Sequence, residues 1–370
     1  MASTVFLSQM HSSPSLKRLR KTLVLSPLKS LKEFPSCIVN VSPEEANMKK
    51  LLKTLLIASA LSVAPVATYA QDYPNKAIRM IVPLAAGSAV DNAARILTAK
   101  MGQNMGQAIV IENIAGSSGL IGADRLAKSA PDGYTLGGVN DSVLTMIPHI
   151  YPNMPWNALK DFDPVSLVGT IEWGIVVPPN SPYQTLSDLL DAAKANPGKI
   201  NYGSGGNGSP QHIAMALLTQ RAGVTMTHVP YKGATPAAVA AAAGQVDVSY
   251  QGLGTVTGLI GGGKLRLLAI STPERLPQYP NIPTVAQAGT KDFLFNSWFA
   301  IVAPAGTPKD IVAKLNVEIQ RALSDPETRK KIVDLGVTIR GTDAQEFGAA
   351  TIKQYELYGK LIRDNGIKAD

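Results

Sequence analysis

From residue 77 onward the chain alternates short apolar runs with longer runs in which apolar positions recur every three to four residues. Residues 77–82 predict a strand, a Pro/Gly turn follows, and residues 90–105 predict a helix. Residues 108–113 predict a second strand, a helix follows the turn at 116–119, and residues 134–139 predict a third strand. This βαβαβ order implies a parallel sheet with right-handed crossovers. The middle of the chain repeats the theme, with strands at 174–177, 199–202, 226–229, 246–250 and 265–270 and helices at 186–196, 210–222 and 236–243.

The C-terminal part reads as helix-rich. Residues 308–323 and 326–335 are amphipathic. Thr342 with Gln345 has the spacing of a capping box, opening a helix that runs toward Asn365 and stops at Gly366.

The start of the chain follows a different pattern. Lys49, Lys50 and Lys53 precede an apolar run at 55–66, and Thr68 and Ala70 supply the small residues of a cleavage site. Residues 48–70 therefore read as a signal peptide cut after Ala70. The apolar run is too short for a membrane anchor, which takes about 20 residues. Residues 1–47 are Ser-, Leu- and Lys-rich without a sustained period, and are expected to be an upstream extension that is not part of the exported protein.

Removing this end changes the reading of charge. The formal net charge is +8, but the first 70 residues hold 9 of the 35 basic and 3 of the 27 acidic residues, which leaves a body of net +2. A near-neutral body argues against a nucleic-acid partner. The single cysteine, Cys37, lies in the same stretch, so the body offers no thiol nucleophile, Cys-ligated zinc or disulfide. A chain of 370 residues, 45% hydrophobic, is long enough for two domains.

Three strand-to-helix turns carry the candidate chemistry. Residues 203–208 spell G-x-G-x-x-G, which would suit a dinucleotide. The next strand ends His228-Val229-Pro230-Tyr231 without the acid that would hold a ribose. Glycines and serines at a helix N-terminus offer N–H groups to any anion. Residues 83–91 form a second turn of small residues, in which Asp91 reads foremost as a helix-capping charge. Residues 231–236 form the third, where Lys232 fits either an anion or solvent. The run 258–264 imitates a P-loop, but Leu265 stands where a hydroxyl must follow, so a plain turn is predicted. His149, His212 and His228 lack metal-ligand spacing, no G-x-S-x-G elbow occurs, and no acid pair stands out, so neither a metal nor a catalytic residue is expected.

Read with their flanks, these stretches resemble one family. The matching motifs are Tyr-Pro-Asn-Lys-Ala-Ile-Arg at 73–79, Pro-Asp-Gly-Tyr-Thr-Leu at 131–136 and Lys-Asp-Phe-Asp-Pro-Val at 160–165. Further on come Asn-Tyr-Gly-Ser at 201–204, His-Val-Pro-Tyr-Lys-Gly at 228–233, Gly-Gln-Val-Asp at 244–247 and Ala-Pro-Ala-Gly-Thr-Pro at 303–308. Together they resemble the substrate-binding receptors of tripartite tricarboxylate transporters, the Bug-type extracytoplasmic solute receptors.

The resemblance implies an α/β, two-lobe periplasmic-binding-protein type II (Venus-flytrap) fold with a cleft between the lobes. One lobe would comprise residues 73–170 plus 295–370 and the other residues 171–294. It also implies a periplasmic receptor that captures a small carboxylate or related organic anion for the membrane components of such a transporter. Such a receptor would act as a monomer, without cofactor, metal or nucleic acid. The residues expected at the ligand are Leu84, Ala85, Ala86, Gly87, Ser88, Ala89 and Asp91 in the first turn. Ser204, Gly205, Gly206, Asn207, Gly208, Ser209 and His212 follow in the second, with Tyr231, Lys232 and Asp247 beyond. The family pattern has an aromatic residue at position 84, glycine at 88 and threonine at 90; Leu84, Ser88 and Val90 depart from it, altering cleft shape and hydrogen bonding. The alternatives are a nucleotide-dependent oxidoreductase using residues 203–208, and a solute sensor feeding a signalling protein.

N-terminal sequencing of the exported protein is expected to give a mature end at Gln71. A mature end within residues 1–47 would overturn the assignment of that stretch.

Overall fold

The structure, a computed structural model, describes residues 73–151, 153–291 and 293–368. The extension at 1–47 and the signal peptide at 48–70 lie outside the described residues.

The first sheet begins as the sequence pattern requires. β1 (Ile78–Val82) pairs in parallel with β2 (Ile109–Asn113) and with β3 (Thr135–Asn140). α1 (Ala89–Met105) and α2 (Leu120–Ala127) are the crossovers. Ser88 caps α1 through its side chain, and Gly106 closes the helix at φ 69°, a left-handed conformation that glycine adopts without strain. The face of α1 bearing Val90, Ala93, Ala94, Leu97 and Met101 is buried.

The sheet is completed by strands absent from the expectation. β4 (Phe162–Ile171) and β10 (Ser297–Pro304) give six strands in the order β11-β4-β10-β3-β1-β2, with β11 at Val337–Ile339. β10 runs antiparallel to both β3 and β4. Every residue of β10 is buried, so the strand has no polar face to mark it by alternation. Its pairing with β4 shifts register between Phe299 and Ala300 and again between Ile301 and Val302, which further disrupts the period.

The second sheet has the order β7-β6-β8-β5-β9. Its strands are β5 (Trp173–Val177), β6 (Asn201–Ser204), β7 (Thr227–Pro230), β8 (Val248–Gly252) and β9 (Arg266–Ile270). α3 (Leu186–Ala195), α4 (Pro210–Ala222), α5 (Ala234–Ala242) and α6 (Leu253–Gly261) lie between them. The glycine run expected as a simple turn is in part the end of α6. Gly258–Gly261 are helical, so any free backbone groups there are carbonyls at a helix C-terminus, the wrong pole for phosphate.

Three helices end the chain: α7 (Lys309–Ser324), α8 (Pro326–Asp334) and α9 (Ala344–Asp364). The cap of α9 is Asp343 rather than Thr342, its side chain accepting from the Glu346 N–H at 2.7 Å. Thr342 is occupied elsewhere: its Oγ1 accepts from Leu167 N–H at 3.1 Å, and its carbonyl accepts from Ser166 Oγ at 2.8 Å.

The chain passes between the sheets at two places. Only Glu172 separates β4 from β5. Its N–H donates to Gly336 O and its carbonyl accepts from Leu253 N–H, each at 2.9 Å. On the return, Ser271 N–H donates to Trp173 O at 2.9 Å, and the hydroxyls of Tyr250 and Ser271 both bond the Phe295 carbonyl. Trp173 stacks on Tyr250 with ring centroids 5.6 Å apart. Aromatic packing and buried hydrogen bonds thus hold both crossings.

β3 leads into the fully buried Asp141, whose Oδ1 accepts from Ser142 N–H at 2.9 Å and from the Ser297 hydroxyl on β10. Burial pushes this carboxyl up to about 7, against the hydrogen bonds from Ser297 and Ser142. The folded protein therefore holds this proton more tightly than the unfolded chain. The stabilisation is complete below about pH 4 and is lost as pH rises through 7. Denaturant titrations from pH 4 to 8 are expected to show wild type losing on the order of 4 kcal/mol relative to Asp141→Asn. Parallel stability curves would show that Asp141 titrates as an ordinary carboxyl.

Candidate functional site

A cavity lies between the two sheets, beyond the C-terminal ends of β1 and β6, where ligands of open α/β sheets gather. It encloses about 570 Å³ of atom-free space when its open mouth is included. Its wall joins the turn after β1 to the turn after β6. None of the lining residues has a charged side chain.

The first turn is shaped by a carboxylate that faces away from the cavity. Asp91 accepts from Gly87 N–H at 2.8 Å, Asn113 Nδ2 at 2.9 Å and Arg95 Nε at 3.0 Å. Burial alone would raise this carboxyl; the bonds from Arg95, Gly87 and Asn113 outweigh burial and hold it below the usual range. Asp91 is therefore a turn-shaping residue, committed on both oxygens. Gly87 has φ +75°, and a Cβ there would meet the Thr235 side chain at 3.6 Å.

The second turn is braced from behind. Ser204 is fully buried and bonds His228, and its Oγ accepts from Gly206 N–H at 3.1 Å. His212 stacks on His228 with centroids 4.2 Å apart, and His228 stacks on Tyr202. Gly208 N–H donates to His212 Nδ1 at 3.1 Å, so this histidine holds the loop rather than lining the cavity.

The two lobes are bonded to one another across the cleft. Thr235 Oγ1 donates to Ala86 O at 2.8 Å, Ala89 N–H to Thr255 Oγ1 at 2.9 Å, and Asn92 Nδ2 to Gly254 O at 2.8 Å. Ser118 Oγ donates to Asn207 O at 2.6 Å and Ser142 Oγ to Gly208 O at 2.9 Å. Glycines make this approach possible. A Cβ on Gly233 would lie 2.7 Å from Ala85 Cβ, and one on Gly206 would lie 2.7 Å from Ser118 Oγ. The structure is thus a closed form.

Of the residues expected at a ligand, Leu84, Ala85, Ser88, Ala89, Gly205 and Ser209 lie on the cavity wall. Ala86, Gly87, Asp91, Ser204, Gly206, Asn207, Gly208, His212 and Tyr231 lie behind it or in the lobe-to-lobe contact. Lys232 is exposed, and Asp247 is at the opposite end of the sheet, accepting from Asn201 N–H at 2.8 Å where β6 begins. The wall also includes residues the motifs did not single out: Asn140, Trp173, Gln211, Thr255 and Ser297. The position of Asn140 at the carboxyl end of β3 was a usable signal; Trp173 and Ser297 reach the cavity only through the crossings. Trp173 is 5% exposed and its Nε1 has no hydrogen-bond partner. Among the described residues no cluster of His, Cys, Asp and Glu is arranged to hold a metal ion.

The family model for the tripartite tricarboxylate transporter family receptor matches residues 93–367. The chain belongs to that receptor family. It is 34% identical to protein BugT of Bordetella pertussis, over 87% of this chain and 99% of that protein. Among solved structures it is similar to an R. palustris protein with adipate, at 30% identity and TM-score 0.78, covering 80% of this chain and 99% of that one. It is equally similar in sequence to MatC from Rhodopseudomonas palustris with bound malate, at 30% identity and TM-score 0.75, covering 78% and 100%. These receptors bind solutes rather than transform them. The oxidoreductase alternative for residues 203–208 falls with this membership: the turn serves a solute receptor, and its glycines admit the opposing lobe.

Gly233→Ala and Gly223→Ala each place a side chain at a positive-φ glycine, but only the one on Gly233 meets the opposing lobe, since nothing lies within 4 Å of a Cβ on Gly223. Gly223→Ala, in the left-handed helical region, is expected to lower stability by about 1 kcal/mol, and Gly233→Ala, at φ 123° and ψ 171° and facing Ala85, by about 3 kcal/mol. Only Gly233→Ala is expected to enlarge the radius of gyration in X-ray scattering. Equal radii for the two variants would remove Gly233 from the closing contact.

Proposed function

We propose that this protein is a periplasmic receptor that captures one small organic carboxylate in the cavity and presents it to the membrane components of a tripartite tricarboxylate-type transporter. The observation that carries this reading is the convergence of the α1 and α4 N-termini, through Ser88 and Ser209, on a cavity free of charged side chains. Helix N-termini bring partial positive charge to the cavity without a cationic side chain, which suits one carboxylate. The related structures carry adipate and malate, both small carboxylates.

Lobe 1 comprises residues 73–170 and 295–370, and lobe 2 residues 171–294. Leu84, Ala85, Ser88 and Ala89 from the first and Gly205 and Ser209 from the second contact the ligand. Ala86, Gly87, Asp91, Ser204, Gly206, Asn207, Gly208, His212 and Tyr231 support the two turns. Ligand contacts made from both lobes at once favour the closed state, and the closed surface is what the membrane partner reads. The receptor acts as a monomer, exported by the signal peptide at 48–70.

A thermal-shift screen of mono- and dicarboxylates against NAD and NADP tests the reading. At a hundredfold excess over Kd a ligand stabilises by about 2.7 kcal/mol, so at least one carboxylate is expected to raise the midpoint by several degrees. Stabilisation by NAD with no response to any carboxylate would refute it.

A further inference from the structure

The two turns that meet at the cavity share one hydrogen-bonding plan. In each, a glycine with positive φ, Gly87 at +75° and Gly208 at +80°, precedes the serine that caps the helix, Ser88 or Ser209. In each, the third helical residue reaches back to the glycine N–H: Asp91 accepts it at 2.8 Å in α1, and His212 Nδ1 accepts it at 3.1 Å in α4. The serine hydroxyl in turn accepts from the backbone N–H of that third residue, at 3.3 Å in both. This plan needs an acceptor that carries no proton. Asp91 remains one down to acidic pH, its carboxyl being held below the usual range. A ring nitrogen accepts only while the imidazole is neutral, and a free imidazole takes up its proton at about pH 6.5.

The Gly208–His212 bond lies where the lobes grip one another. Asn207 O accepts from Ser118 Oγ at 2.6 Å and from the Tyr151 hydroxyl at 3.3 Å, and Gly208 O accepts from Ser142 Oγ at 2.9 Å. The peptide joining Asn207 to Gly208 is therefore held at both ends, its carbonyl by two hydroxyls of the opposing lobe and its N–H by His212. A proton on Nδ1 would set two donors face to face and turn that peptide away, with loss of the Ser118 and Tyr151 bonds. The titratable groups packed against the ring and its turn are His228, stacked at 4.2 Å and 4°, Tyr202 beyond it at 4.9 Å, and Tyr151. None of these three is a carboxylate, and two imidazoles stacked so closely do not both become cations. Asp141, next to Ser142, is pushed up to about 7 by burial, so a variant at position 212 is needed to tell the two protons apart.

We propose that His212 is a positioning residue that makes ligand capture depend on pH: the second turn closes on a ligand only while this ring is neutral, and acidification releases the solute. Opening withdraws Ser118, Tyr151 and Ser142, which frees the turn to give up the Gly208 bond and admit the proton. The closed form thus binds one proton fewer than the open form. Closure is fully supported above about pH 7 and weakens as pH falls through the imidazole range. The first turn, locked by Asp91, keeps its shape across that range. This rests on the carboxylate-receptor reading above.

Calorimetric titration with adipate and with malate between about pH 8 and pH 5.5 tests it, on wild type, His212→Asn and His212→Leu. The asparagine oxygen takes the place of Nδ1 as an acceptor that does not titrate, whereas leucine offers none. His212→Asn is expected to bind up to about threefold more weakly than wild type at pH 8, and His212→Leu at least about tenfold more weakly. Relative to His212→Asn, wild-type affinity is expected to fall about eightfold between pH 7 and pH 5.5. At pH 6, in two buffers of different ionisation enthalpy, wild type is expected to release roughly 0.7 proton more on binding than His212→Asn does. Asp141 and the ligand are common to all three proteins and drop out of these differences. If neither variant folds, the ring nitrogen resonances of wild type decide: Nδ1 of His212 is expected to stay unprotonated in the complex at pH 5.5, and a protonated Nδ1 there overturns the proposal. Equal slopes and equal proton release in wild type and His212→Asn overturn the role of His212 alone, whereas failure of both acids to bind wild type at pH 8 overturns the carboxylate reading.

Discussion

Close approach of the glycine backbone of one lobe to small side chains of the other is the constraint on which the rest of this structure depends. Gly233 meets Ala85 and Gly206 meets Ser118 at distances that leave no room for a side chain. The bonds from Thr235 to Ala86, Ala89 to Thr255 and Ser142 to Gly208 need that closeness. Glycine and alanine in the turns are thus steric requirements of closure. The same small residues let two helix N-termini reach one cavity.

Closure of this kind places unusual demands on the turns, because a loop made of small residues has little side-chain packing to fix its shape. Each turn is instead held from behind by a polar group. Asp91 collects Gly87, Asn113 and Arg95 for the first. The Tyr202–His228–His212 stack, with Ser204, holds the second. Asp91, Arg95 and the stacked histidines therefore stay out of the cavity while determining its shape, and no charged side chain lines the wall. A neutral wall with oriented dipoles can accept an anion without burying a permanent cation, whose desolvation would be costly when the cleft is empty.

The crossings connect this cleft to the fold. Glu172 is the single residue between the sheets on the outward pass, and Tyr250, Ser271 and Phe295 lock the return. Trp173 belongs to that aromatic cluster and to the cavity wall at once, so the cavity wall and the crossing share one side chain.

The alternation of strands and helices, the parallel core of each sheet and the two turns of small residues were legible in the sequence, because local periodicity and turn chemistry are carried by neighbouring residues. The direct contribution of Leu84, Ala85, Ser88, Ala89, Gly205 and Ser209 to the wall follows from those turns. β4 and β10 were not legible: β10 is buried on both faces and its register shifts against β4, so neither offers a period of two. Asn207, Gly208 and His212 sit in the right turn yet face the opposing lobe or the loop itself, a distinction of a single rotation about the backbone that no spacing records. Trp173 and Ser297 arrive at the cavity from strands more than a hundred residues apart in sequence, and only the pairing of sheets and the two crossings bring them together. Local pattern sets which segments form turns; long-range packing decides which atoms of those turns, and which distant side chains, line the cavity.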